Sequence, residues 1–475
     1  MNASREPATE RALRGAGMVS LLGGMWLLLW YWPGGLPYDS TSGVWSALAH
    51  DFSHGILYRP LQGELGYGGT RYGPLFFVLH GLLLKTGLGI GAAGLLLTLT
   101  SLGLLGAVAW GLMRAVGADR GLAISCVMLM PASVALQLLG LAVKGDLWAA
   151  AASTAGLWAS FRWQRRQWRP GLVLAWLLFS AAVLTKFTAV FGLGAMLVWL
   201  VRERRIAAAA QLAAGTLAVS AFGFAAAYEF SAGRIADSFA ACASGGLQAA
   251  YAWKFAGWFA LVAAQDPFFS VLFIVAGWLA VRRIRRQGID LVITFFLTTT
   301  LGTMLLFVSP GIDSNHLVDL LVASVGLIAL EVTEGGAARG LAWGAWAFAA
   351  LVVFTWLPGA PSVRHFLTER GRPSLAGVRE IARRLPPAGT ARILAENPLV
   401  PLVLGRPAEV LDPFSLRLLA EREPSVRDRF MGDLAAGRYS AVVLVDWSGV
   451  PLEELPAAMA RHSSPGARRF YGEMN

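Results

Sequence analysis

RWQRRQWRPGLVLAWLLFSAAVLTKFTAVFGLGAMLVWLVRERR, residues 162–205, holds two apolar runs joined by the turn LTKFT and bounded on both sides by arginine clusters. Cytoplasmic loops of membrane proteins carry an excess of Lys and Arg, so both clusters belong on one side of a bilayer and the chain between them crosses it twice. That predicts spans at 170–185 and 187–201 and puts Lys186 on the far side. Composition agrees. Of 475 residues 56% are hydrophobic and 15% charged, with mean hydropathy +0.56, against about 45–50% and about 25% in soluble domains. A net charge of +11 and a pI near 10.2 would suggest nucleic acid in a soluble chain. In a bilayer the arginines are orientation signals first, and no nucleic-acid partner is expected.

The same rule extends outward from 162–205. Arg114 and Arg120, Arg162 to Arg169, Arg202 to Arg205, and Arg282 to Arg286 all fall on the cytoplasmic side. The N-terminal apolar run carries Arg5, Arg11 and Arg14 ahead of it, lacks an A-x-A cleavage pattern and precedes further spans, so 15–33 is expected to be a retained first helix leaving the cytoplasm. Spans follow at 91–113, 121–141, 147–161, 206–228, 268–282, 289–309, 317–333 and 341–358, about eleven at roughly 20 residues each. Parity leaves PLFFVLHGLLLK, 74–85, without a crossing to make. It is expected to lie at the outer interface, as is 40–54. Residues 229–265 form an outer loop. After Pro358 charges of both signs become frequent. A polytopic α-helical membrane domain over 1–358 and a small extracytoplasmic α/β domain over 359–475 are expected, with strands at ARILAENP and YSAVVLVD and helices at SLAGVREIARRL and around RDRFMGDLAAG. Cys126, in an apolar run, and Cys242, in a loop, read as structural.

Ionisable groups at membrane ends are functional candidates by default, and here they gather on the outer side. The first outer loop carries Asp39, Asp51, His54, Glu64, Arg71 and Tyr72. The turn LAVKGDLW carries Lys144 and Asp146, and SPGIDSNHLVD carries Asp313, Asn315, His316 and Asp319. The four lysines of the chain, Lys85, Lys144, Lys186 and Lys254, all fall outside, against the positive-inside bias. An ammonium is a compact charge suited to a phosphate at the membrane surface, although lysines also snorkel to interfaces. Asp39 and Asp146 each precede or open a helix and can serve as caps, or as a general base if they share a cavity with Lys144 and Lys186. Asn315 and His316 fit substrate contact or structure better than acid–base work. The chain contains no HExxH, no Gly-rich phosphate loop and no nucleophile elbow.

The first helix, an Asp directly after it, HGILYRP and YGPLFF together resemble the multi-spanning GT-C glycosyltransferases, a plan shared by the aminoarabinose transferases of lipid A, the protein O-mannosyltransferases of the family 39 type and lipopolysaccharide sugar transferases. The resemblance covers most of 15–330 in order of elements. It implies that Asp39 takes the position of the acid that activates the acceptor hydroxyl, Asp146 that of a second acid, and Thr185-Lys186 that of the lysine side that binds the lipid phosphate. Arg71, Tyr72, Lys144, Asn315 and His316 then become substrate-binding candidates. Two departures stand out. The family often has an acidic pair in the first loop where this chain has Asp39-Ser40, which puts a divalent metal there in doubt, although Asp39 and Asp146 could hold an ion together. Some relatives place Lys before the Pro where this chain has Gly73.

The resemblance implies an inverting transferase of the bacterial inner membrane, acting in cell-envelope glycosylation. It would move a sugar from a polyprenyl-phosphate-linked donor to a lipid, glycan or protein acceptor. The rival from another class is a transporter or flippase of a lipid-linked sugar. Transporters tend to carry ionisable residues or helix breaks at mid-membrane in paired segments, whereas these spans are nearly free of mid-helix charge and the halves show no repeat. A scaffold that recruits partners through the outer α/β domain leaves the lysine distribution unexplained.

Overall fold

The computed structural model describes residues 8–31, 40–242, 257, 259–260, 264–309, 314–334, 349–356, 379, 383 and 392–443. Asp39, Asp313, Lys254, most of 341–358 and all of SLAGVREIARRL but Arg379 and Arg383 lie outside them. The helices are α1 (Ala8–Tyr31), α2 (Ser40–Ser53), α3 (Pro74–Lys85), α4 (Ile90–Val116), α5 (Arg120–Leu129), α6 (Val134–Gly140), α7 (Asp146–Arg166), α8 (Arg169–Thr185), α9 (Phe191–Arg202) and α10 (Ile206–Phe230). They continue with α11 (Arg234–Cys242), α12 (Pro267–Gln287), α13 (Leu291–Leu306) and α14 (Val318–Thr333).

Among the described residues, five helical stretches are long and apolar enough to cross a membrane: Thr9–Leu29, Ile90–Val116, Ile206–Phe230, Pro267–Gln287 and Ser314–Thr333. The expected spans 15–33, 91–113, 206–228, 268–282 and 317–333 fall on them. The expected span at 187–201 is a 12-residue helix, α9, which at 1.5 Å per residue covers about 18 Å of a hydrocarbon core of about 30 Å. The expected span at 121–141 is not straight: the helical stretches Arg120–Ala132 and Val134–Gly140 meet at 77°. Pro131 starts this break, since proline removes an N–H and clashes with the preceding turn. Non-helical backbone at membrane depth must find partners in protein, and the buried Asp266 provides them. One oxygen accepts from Ser133 Oγ at 2.7 Å and Ala135 N at 3.2 Å, while the other caps α12 through Phe269 N at 2.9 Å. Cys242, expected in a loop, is the last residue of α11. Burial pushes its thiol up to about 11, so it is an inert packing residue.

α7 packs against α8, α4 and α9, and its run AAAASTAG lets them approach closely. A Cβ on Gly156 would stand 2.6 Å from the Phe179 ring of α8. The short turns are capped from the sequence. Gly117 adopts φ 109 after α4, and Asp119 accepts from Gly121 N and Leu122 N to start α5.

The Arg-rich end of the bundle is pinned by one guanidinium. Arg283, 5% exposed, donates to Asp290 Oδ2 at 2.7 Å, Glu331 Oε1 at 2.8 Å, and both oxygens of Glu334 at 2.8 and 3.0 Å, joining α12, α13 and α14. Arg283 holds the Glu334 carboxyl below its usual range. An Arg283→Met variant leaves Glu331, 2% exposed, buried without its main cation, a loss of about 3–5 kcal/mol. Denaturant titration in detergent should show it, with recovery in the triple variant that also carries Glu331→Gln and Glu334→Gln. Equal stability of Arg283→Met and wild type would rule out the pin.

In the C-terminal segment, β3 (Arg392–Ala395) and β4 (Tyr439–Val443) pair in parallel with Ile393 opposite Ala441, and α15 (Leu399–Val403), α16 (Pro413–Arg422) and α17 (Pro424–Ala435) lie between them in sequence. The expected strands thus form. Their apolar core is shared: Leu394, Val410, Leu416 and Phe430 pack with Tyr67, Ala241 and Cys242. A small hairpin between α2 and α3, β1 (Gln62–Gly63) with β2 (Gly66–Tyr67), meets this segment directly. Tyr67 N donates to Glu409 O at 2.7 Å and Leu411 N to Tyr67 O at 2.9 Å. A side chain at Gly66, φ +88, would strike Glu409 O. The buried Arg59 grips Asp51 through both carboxylate oxygens and donates to Leu65 O at 3.0 Å and to Ala408 O.

Candidate functional site

α7 begins at Asp146, so its carboxylate sits among the unpaired N–H groups of a helix N-terminus, where negative charge is favoured. Two partners come from distant parts of the chain. Asp146 Oδ1 accepts from Lys186 Nζ and, at 2.9 Å, from Asn315 Nδ2. Lys186 ends α8 with extended backbone, φ −152, which turns its side chain out of the helix row. Its ammonium also stands 3.2 Å from His316 Nε2. An ammonium has no lone pair, so Nε2 is the acceptor, and the imidazole keeps its proton on Nδ1 and is uncharged. Asp146 and Lys186 side chains are 7% and 16% exposed. At such burial a charge pair is weakly screened by salt.

The structure therefore brings Asp146, Lys186, Asn315 and His316 into one cluster at the end of the bundle opposite Arg283. The other candidates surround it. Tyr72 stacks on Trp45 of α2 with ring centroids 4.3 Å apart, and its carbonyl accepts from Tyr58 Oη at 2.9 Å. Arg71 precedes Tyr72 in the same loop, with its guanidinium 4.5 Å from the centroid of the Phe414 ring. Lys144 is half-buried in the turn that leads to Asp146. Lys85, by contrast, is exposed at the end of α3, 5.0 Å over the Phe52 ring. Gly73 explains its own departure from the resembled pattern. Its N–H donates to Thr185 O at 3.1 Å, and a Cβ there would lie 2.2 Å from Leu184 O. A lysine does not fit where the Tyr72 loop is held against the residue before Lys186.

One residue of the cluster was named in its loop but not singled out. Asp319 lies four positions past Asn315, on the same helical face, and is buried within reach of the Lys186 and Asp146 charges. Neither Asp319 Oδ1 nor Asn315 Oδ1 has a hydrogen-bond partner among the described residues. The i, i+4 spacing was the signal that could have found it. Trp45 was missed too, because it reads as core on an amphipathic helix.

Among the described residues no three His, Cys, Asp or Glu groups stand close enough to hold a metal ion. Asp146 Oδ1 is already taken by an ammonium and an amide, which makes a poor donor set, and Asp39 lies outside the description.

No protein-family model matches the sequence, and no curated protein matches it. Solved structures do. ArnT from Cupriavidus metallidurans bound to undecaprenyl phosphate superposes with a TM-score of 0.56 at 13% identity, over 88% of this chain and 90% of that one. ArnT in the apo state gives 0.54 at 15% identity, over 90% and 93%. The Archaeoglobus fulgidus oligosaccharyltransferase AglB, in complex with an inhibitory peptide and a dolichol-phosphate, gives 0.52 at 12% identity; 84% of this chain spans 64% of that one. ArnT and AglB are GT-C glycosyltransferases, and this chain has their fold.

Proposed function

From a GT-C fold that carries this cluster, we propose a glycosyltransferase that moves a sugar from a polyprenyl-phosphate-linked donor to an acceptor hydroxyl, with inversion, at the extracytoplasmic face of the bacterial inner membrane. The observation that supports it best is the Lys186 ammonium, held between Asp146 and His316 at the end of an apolar bundle. The neighbours ArnT and AglB are described with undecaprenyl phosphate and with dolichol-phosphate and a peptide. A lipid-linked donor arrives through the membrane, which suits a chain with no nucleotide-binding motif. In this reading the chain makes about eleven crossings, places residues 359–475 outside, and takes a lipid, glycan or protein acceptor.

The chemistry follows from the charges. Asp39 takes the proton of the acceptor hydroxyl, the acceptor oxygen forms its bond to the anomeric carbon, and the carbon–oxygen bond to phosphate breaks. Negative charge builds on the phosphate oxygens as it leaves. Cations already in place in a partly dry site stabilise that charge without reorganising, and Lys186, Arg71 and Lys144 supply them. Asp146 and the neutral His316 orient Lys186, so the ammonium needs no rotamer search when the donor arrives.

The test is transfer by the full-length protein in lipid nanodiscs. Purified protein is given radiolabelled sugar on undecaprenyl phosphate or on a nucleotide, with and without EDTA. Transfer from the lipid donor alone supports the reading. Movement of the lipid donor across a vesicle bilayer without transfer would replace it with a flippase, and EDTA-sensitive transfer would restore an ion between Asp39 and Asp146.

A further inference from the structure

The Arg71 guanidinium lies 4.5 Å from the centroid of the Phe414 ring of α16, a residue more than 340 positions further along the chain. On the other side the loop that carries it is held beside Lys186, since Gly73 N donates to Thr185 O at 3.1 Å. Arg71 is thus a two-sided residue. The chain on both sides of it is held, since Gly73, two residues on, is bonded to Thr185 and the hairpin before it is bonded to 409–411. The Phe414 ring is set by the start of α16, where Asp412 caps Phe414 N at 3.1 Å and Ser415 N at 3.4 Å and Pro413 occupies the first helical position. Burial pushes the Asp412 carboxyl up, while the Ser415 hydroxyl and Arg71 hold it back. An arginine on an aromatic face is attracted to the ring and stays charged, with its donors around the rim still open to an anion.

We propose that Phe414 is a positioning residue: its ring holds the Arg71 guanidinium toward the Lys186–Asp146 cluster, so that residues 392–443 set how tightly the site binds an anionic lipid headgroup. This rests on the proposed function. In this proposal Phe414 acts through Arg71. Arg417 shares the ring from 5.9 Å and pairs with Glu421 on its own helix, which makes it an internal control.

The experiment measures undecaprenyl phosphate binding and transfer kinetics with the full-length protein in nanodiscs. Phe414 is half-buried, and Phe414→Leu keeps apolar bulk while removing the π face. Its affinity for undecaprenyl phosphate is expected to fall about tenfold, the size of a partly desolvated cation–π contact, with kcat at saturating donor unchanged. Phe414→Tyr keeps the face and should bind like wild type, and so should Arg417→Ala. Wild-type affinity in Phe414→Leu, an equal loss in Phe414→Tyr, or a fall in kcat rather than affinity would each overturn the positioning role while leaving the proposed function intact. Failure of the wild-type protein to bind undecaprenyl phosphate would overturn both.

Discussion

An Asp39→Asn variant that inserts and folds like wild type is expected to transfer sugar about 100- to 10,000-fold more slowly, the range for loss of a positioned general base. The expectation rests on the resemblance, which puts Asp39 at the position of the acid that activates the acceptor hydroxyl. Within the cluster Asp146 accepts from Lys186 and Asn315 through Oδ1, one of its two carboxylate oxygens. His316 points its one free lone pair at an ammonium. Asp319, whose buried Oδ1 lacks a partner among the described residues, is the alternative carboxylate. The loss should appear in kcat with donor affinity preserved, because the change removes a proton acceptor and no cation. Transfer at the wild-type rate would end the assignment to Asp39, and Asp319→Asn would then be the variant to measure.

Lys186→Ala is expected to cost about 100- to 1,000-fold in transfer, as removal of one preorganised stabiliser of transition-state charge does. Two effects add. The phosphate loses a cation as its charge grows, and Asp146 is left as a buried, nearly uncompensated carboxylate that repels the donor. The second effect predicts that Lys186→Ala with Asp146→Asn binds undecaprenyl phosphate better than Lys186→Ala alone, a coupling that a double-mutant cycle reads directly. Unchanged donor affinity in the single variant would rule out a phosphate role for Lys186.

Much of this arrangement was legible from charge placement. Arginine clusters and apolar runs placed the helices, and the four lysines drew attention to the turns where Asp146 and Lys186 meet. What the sequence hid was long-range and local at once. The break at Ser133 reads as a continuous apolar run because its rescue by Asp266 comes from 133 residues away. The shortness of α9 was hidden because the turn after Lys186 takes residues that are apolar enough to belong to a span. Gly73 looked like a missing lysine, when the constraint is the carbonyl of Leu184 beside it. Phe414 and Arg71 have no sequence relation at all until the C-terminal segment folds against the first loop.

The grip of Arg59 on Ala408 O has a consequence for biosynthesis. The ribosome delivers the chain from its N-terminus, so α2, the hairpin and Lys186 are all in place while residues 408–414 are still to be made. During that interval Arg59 has Asp51 and Leu65 but lacks Ala408, the hairpin has no strand beside Tyr67, and Arg71 has no ring to rest on. Closing a loop of 349 residues is slow compared with local pairing. The nascent protein therefore makes α2 and the hairpin well before the segment that packs on them, and a truncated product of translation would lack those contacts.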